Sequence, residues 1–136
     1  MLIQKEILLP EFKRGFHLIT TLIEKSLTEL PANGLLNIFI KHTSVAISIN
    51  ENADPSVRYD FNSFINKLVP DGNPIFTHTL EGDDDMAAHI KSSLFGQSVN
   101  IPITNKRLNL GIWQGIYLCE FRDFGGPRNI VLTIIS

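Results

Sequence analysis

Apolar residues recur along this chain at two different spacings, and the places where one gives way to the other mark its elements. LIQKEILL (2–9) reads as a first strand stopped by Pro10. From Gly15 to Leu30 the apolar positions Phe16, Ile19, Leu22, Ile23, Leu27 and Leu30 follow the three-to-four spacing of a one-sided helix. PANG (31–34) then supplies the turn formers that stop it. LLNIFIKH and SVAISIN are two β-rich runs with only a tight connection or bulge around His42 and Thr43 between them. Asp54 or Asn52 caps a helix beginning near Pro55, with Val57, Phe61, Phe64, Ile65 and Leu68 as its buried face and Pro70-Asp71-Gly72 as its end. An acidic loop leads into a short helix from about Asp84 to Leu94, closed by Gly96. After Ser98 strands dominate: SVNIPI, RLNLG, QGIYLCEF and NIVLTIIS, the last two joined by the turn-rich RDFGGPR.

Three helical segments and about seven strands, most of them hairpin-like neighbours, predict one compact α+β domain over 1–136 with a mixed or antiparallel sheet core. The alternating units and glycine-rich first turn of a dinucleotide fold are missing. The chain has 136 residues, enough to bury a core without staples. Its net charge of −2 removes the general attraction to nucleic acid or anionic lipid that a basic chain has. No apolar run approaches a membrane span, and the first residues do not read as a signal peptide, so the expected location is the cytoplasm. Cys119, the single cysteine, excludes an intrachain disulfide and reads as a buried thiol.

HTLEGDDDMAAHIK (78–91) concentrates two of the four histidines and a run of acids. If a helix starts at Asp84, Asp85 and His89 share one of its faces, while His78 and Glu81 precede them on a loop that can fold back. Imidazole with carboxylate is the ligand set of zinc, manganese or iron; magnesium favours carboxylate and water. Acids capping a helix start are the competing explanation. His42, Thr43 and Ser44 lie at a strand edge, and NENADP (50–55) holds more amide and acid side chains than a cap requires. His17 reads as a structural residue of the first helix. Arg122 and Arg128 flank one turn, where paired guanidiniums suit phosphate or simply pair with Glu120 and Asp123; Lys91 can join them. Trp113, between two glycines, either stacks on a ring or fills a core or subunit contact.

HTSVAISINENADPSVRYDF, HTLEGDDDMAAHIKSSLFG and LNLGIWQGIYLCEFRDFGGPR, in this order and at this length, resemble the secondary thiamine-phosphate synthase family, also called YjbQ-like. The resemblance covers nearly the whole chain. It implies a mixed-sheet α+β domain assembled as a homotrimer, with a site near a subunit boundary. The implied activity joins a hydroxymethylpyrimidine diphosphate to a thiazole phosphate with loss of pyrophosphate. Carried onto this sequence, it implies catalytic roles for His42, His89 and Glu51. Thr43, Ser44, Asn50, Asn52, Lys91, Trp113, Gln114 and Arg122 would bind substrate, joined by Arg128 as the second guanidinium of the turn, and His42, His78, His89 and Asp85 are the candidate ligands of a divalent ion, Mg, Zn or Mn. Ile112 stands where the family pattern has a threonine.

The expected mechanism is electrostatic: Lys91, Arg122 and Arg128 with a divalent ion neutralise the leaving diphosphate, and Trp113 stacks on the pyrimidine. The alternative is a protein that binds a metal or a phosphorylated metabolite without turnover. A third reading makes the histidines packing residues of a trimer interface.

Overall fold

A computed structural model describes residues 1–136. Eight strands and three helices follow in the order β1 (Leu2–Leu9), β2 (Gly15–Leu18), α1 (Thr20–Ser26), β3 (Asn33–Ile40), β4 (Val45–Glu51), α2 (Pro55–Leu68), α3 (Asp85–Phe95), β5 (Ser98–Thr104), β6 (Arg107–Leu108), β7 (Gln114–Glu120) and β8 (Arg128–Ile135). They make a five-stranded sheet, β1-β8-β3-β5-β6, and a three-stranded sheet, β2-β7-β4. Every ladder is antiparallel, so of the mixed or antiparallel core expected the antiparallel form is the one found, divided between two sheets.

The burial of each strand follows from how many faces are covered. β8 alternates buried and half-buried positions, and its Ile130, Leu132 and Ile134 join Leu36, Ile38 and Ile40 of β3 in the core. β7 is buried at six of its seven positions because both of its faces are covered. Ile116 and Leu118 belong to the core shared with the five-stranded sheet; Tyr117 and Cys119 belong to a second cluster with Ile65 of α2 and Ala88 of α3. The molecule is therefore three layers: five strands, three strands, two helices. At roughly 1.5–3 kcal/mol per buried aliphatic side chain, the isoleucine-rich interface between the sheets is the main source of stability.

Three expectations change. The segment 15–30 is not one helix: Gly15–Leu18 is a strand paired with Tyr117–Glu120, and only Thr20–Ser26 is helical. Phe16 enters the aromatic cluster from β2, beside Phe61, Phe95 and Tyr117, which overrides the local helical period. His17 thus lies on a strand, its Nε2 2.6 Å from the Lys13 carbonyl. Second, β3 and β4 are no hairpin. They lie in different sheets, and Lys41–Ser44 carries the chain from one to the other. Third, α2 begins at Pro55 behind an Asp54 cap that accepts from Ser56 N at 2.9 Å, but Phe64 and Leu68 of its apolar stripe are exposed. No helix is long and apolar enough to cross a membrane.

Candidate metal centre

Lys41–Ser44, the start of β4, the end of β7, the start of β8 and the start of α3 meet at one end of the three-stranded sheet. α3 lies close on β4 because Ala87 and Ala88 face inward and Ser92 Oγ donates to the Val45 carbonyl at 2.8 Å. That docking sets the two helical residues four apart, Asp85 and His89, beside the crossover. The loop before α3 returns His78 to the same point. His78 Nε2 lies 2.6 Å and His89 Nε2 3.1 Å from one oxygen, Asp85 Oδ2. One ligand atom from each of the three residues falls within 4.8 Å of the others. Asp85 is buried, while His89 is partly and His78 more openly exposed, so the group is anchored inside and open outward.

The hydrogen bonding of His89 carries chemical information. Its Nδ1 is 2.8 Å from the Thr43 carbonyl, an acceptor only, so Nδ1 holds a proton and donates. In the neutral ring Nε2 is then a lone pair, and it faces a carboxylate oxygen at 3.1 Å. Two acceptors at that distance require a positive species between them: a second ring proton or a metal ion. A backbone carbonyl that accepts the second N–H of a histidine is the usual outer support of a metal-ligating ring.

Arg122 completes the support. Its Nη1 donates to Asp85 Oδ1 at 2.5 Å, its Nε to Asp84 Oδ2 at 3.1 Å and its Nη2 to the Glu81 carbonyl at 3.0 Å. Asp85 is thereby held at Oδ1 and presents Oδ2. Burial acts to raise the Asp85 carboxyl, but the His78 hydrogen bond, the Arg122 charge and His89 outweigh it and hold it below the usual carboxylate range. Asp84 is also lowered, its burial outweighed by the Asp123 amide and Arg122. Arg14 braces the outer edge, 2.8 Å from Asp71 Oδ2 and 3.0 Å from Asp123 Oδ1.

Behind this group lies a second, buried layer. Arg128 pairs with Glu120 through Nε–Oε1 at 2.8 Å and Nη2–Oε2 at 2.6 Å, and Nη2 also donates to Ser44 Oγ at 3.1 Å. His42 belongs here and not with the trio. Its Nε2 accepts from the Asn129 amide at 2.8 Å, which puts its proton on Nδ1, 3.4 Å from Arg128 Nη1. Burial, then the Arg128 charge, lowers its pKa. With Nε2 occupied and Nδ1 against a cation, the expected metal-ligand and catalytic roles of His42 are corrected to a structural one.

The remaining expected site residues divide by place. Thr43 and Ser44 stand at this end, Thr43 contributing its carbonyl. Lys91 is completely buried, with Nζ 2.7 Å from Asn66 Oδ1, and cannot reach a substrate. Asn50, Glu51, Asn52, Trp113 and Gln114 lie at the opposite end of β4 and β7, where Glu51 pairs with Gln114. Six strand steps from Val45 to Glu51 span roughly 20 Å, so in one chain they form no site with His89. There Glu51 Oε2 accepts from the Ala53 and Asp54 amides at 3.1 and 3.3 Å, a turn-stabilising role in place of a catalytic one. Trp113 is exposed and stacks on no ring of the chain. Arg14 escaped the sequence reading as a site-supporting residue, and no local signal pointed to it, whereas Glu120 is among the ion-pair partners expected at this sheet end.

The chain matches the family model described as UPF0047 protein YjbQ-like over residues 5–136. It is 49% identical over 133 residues to the UPF0047 protein YjbQ of Salmonella typhimurium, covering 96% of each chain. It is 42% identical over 111 residues to the UPF0047 protein YugU of Bacillus subtilis, covering 81% of this chain and 80% of that one. Among solved structures, a hypothetical protein from Aeropyrum pernix K1 superposes with a TM-score of 0.85 at 28% identity over 98% of both chains. An uncharacterized conserved protein from Clostridium acetobutylicum gives 0.81 at 37% identity over 96% of this chain and 99% of its own. None of these descriptions carries an activity, and the expected thiamine-phosphate synthesis is withdrawn. The geometry agrees with that correction: Lys91, Arg122 and Arg128, the cations meant for a leaving diphosphate, are each engaged by a partner within the chain.

Proposed function

The chain belongs to the UPF0047 YjbQ-like family, and we propose that it is a metal-dependent hydrolase whose single divalent ion is held by His78, Asp85 and His89. The observation that carries this reading is the His89 ring, donating Nδ1–H to the Thr43 carbonyl while its Nε2 faces Asp85 Oδ2. Two imidazole nitrogens and one carboxylate oxygen suit zinc first and manganese next. What a bound ion supplies is Lewis acidity toward water and a substrate oxygen.

The protein residues have separate tasks. Thr43 fixes the His89 tautomer, and Arg122 holds Asp85 Oδ1 so that Oδ2 is presented alone. The partial exposure of His78 and His89 leaves that side open to a small substrate. Asp83 and His78 line an adjoining cavity of about 170 Å³.

The test is elemental analysis of protein purified without a metal-affinity tag, beside an H78A/H89A variant shown to be folded by circular dichroism. About one zinc or manganese per wild-type chain, lost in the variant, is expected. Wild-type protein that gains no metal and no thermal stability from either ion sinks the reading.

A further inference from the structure

A second cavity, of about 500 Å³, lies at the other end of the three-stranded sheet, between α1, the β5–β6 hairpin and the strand ends at Asn52 and Gln114. We propose that it binds a small amphipathic organic anion, a phosphate or carboxylate head on an apolar body, through Lys106 and Arg107. This goes beyond the metal reading and does not depend on it.

The first observation is the hairpin turn. Thr104 pairs with Arg107, leaving a two-residue loop in which Asn105 and Lys106 have φ of +52° and +62°. Turns of this kind ask for glycine at the second position because a side chain there is disfavoured. Here that position is a lysine lining the cavity. Strain retained beside a cavity is a recurrent mark of a ligand site.

The second is charge. Neither Lys106 nor Arg107 takes part in an ion pair, whereas Arg14, Arg122 and Arg128 all do. No aspartate or glutamate occurs in the sequence between Asp85 and Glu120 to balance them. The acid that does line the cavity, Glu24, comes from α1, so the site is polarised, cationic on the hairpin side and anionic on the helix side.

The third is the remaining lining. Leu27, Leu30, Leu108 and Leu110 give an apolar surface. Two amides are already oriented. Asn52 Nδ2 donates to the carbonyls of Ile112 and Gln114, both at 3.0 Å, and Gln114 Oε1 accepts from Gly111 N at 2.8 Å. Asn52 Oδ1 and Gln114 Nε2 are left for a ligand. An apolar wall with a few fixed polar groups is the ordinary composition of a small-molecule site, and the volume lies within the usual range.

The experiment is an NMR titration of the whole protein with phenyl phosphate, phenylacetate and inorganic phosphate, repeated on K106G and on R107A. Phenyl phosphate or phenylacetate is expected to shift the Lys106 and Arg107 amides, the Gln114 side chain and the Leu27 and Leu110 methyls. Each should bind at least tenfold more tightly than inorganic phosphate, and which of them is tighter identifies the head group. Each substitution should weaken binding about tenfold, while K106G raises the melting temperature because glycine relieves the turn. A stabilised K106G with undiminished binding would make the lysine purely structural and overturn the proposal. Shifts that map instead to the exposed apolar stripe of α2 at Phe64 and Leu68, or to His78 and His89, overturn it too. So does equal affinity for inorganic phosphate and the aromatic anions. An H78A/H89A variant should bind these probes normally, which keeps failure here separate from failure of the metal centre.

Discussion

Glu120 and Arg128 close a two-pronged ion pair, 2.8 and 2.6 Å, across the loop that joins β7 to β8, and Glu120 has no exposed surface. Removing one member strands the other charge in the interior. Arg128→Ala is expected to destabilise the fold by about 3–5 kcal/mol, read from urea unfolding. Replacing both by leucine should recover most of that loss; a double variant as unstable as the single one would refute the assignment.

Gly125 sits against this pair. A Cβ there would lie 2.5 Å from Glu120 Oε1 and 2.6 Å from Arg128 Nη2, atoms locked by their own bond. Gly125→Ala should cost about 1–3 kcal/mol by overpacking. At Gly126 the space is open but φ is +71°, so alanine there should cost about 1 kcal/mol through backbone strain alone. If both costs are as expected, adding Arg128→Ala should reduce the Gly125 penalty and leave the Gly126 penalty unchanged.

Arg122 acts on the proposed metal through Asp85. Arg122→Ala should lower zinc affinity about 10- to 100-fold without removing a ligand, measured by competition with a chromophoric chelator. Unaltered affinity would mean that Asp85 needs no support.

His42 predicts a pH dependence. Its folded pKa lies below its ordinary value of 6.5, so below that pH the unfolded chain binds more protons than the folded one. Stability from this group is present above about pH 6.5 and declines as pH falls toward the lower folded value. His42→Gln, which keeps an acceptor for the Asn129 amide, should flatten that part of the melting-temperature profile. Asp84 and Asp85, both depressed, add a separate loss in more acidic solution, as pH falls below the ordinary carboxylate range.

Cys119 is buried, and burial pushes its thiol pKa up. A thiol reagent should modify it only at the rate of unfolding; fast labelling of native protein would contradict its position between β7 and the helices.

Much of the fold was legible in the sequence because local chemistry decided it. Asp54 before Pro55, Gly96 after α3, and the i,i+4 pair Asp85 and His89 each depend on neighbours within a few residues. The features that were not legible depend on distant partners. Phe16 shares a helical period with Ile19 and Leu22 after it, yet pairs with Cys119 a hundred residues on. His42 is equivalent in sequence to His78 and His89, and only the Asn129 amide on its Nε2 sets it apart. Arg122 and Arg128 look alike in sequence, each with acids nearby, and only the fold shows which acid each one holds. The division of the motif residues between two ends of β4 was hidden for a simpler reason. Sequence order brings His42 and Glu51 within nine positions, and an extended strand separates them.

The topology also bears on synthesis. β1 pairs along its length with β8 alone, from Leu2 against Ile135 to Leu9 against Arg128. β1 therefore waits for a strand made more than a hundred residues after it, its apolar Leu2, Ile3 and Leu8 without their native neighbours until β8 emerges. β3, at the centre of the larger sheet, also depends on β5 and β8. Pairing at such sequence separation makes folding of this domain slow for its size, and the stretch of chain with β1 made and β8 still to come is its most vulnerable form toward chaperones and aggregation.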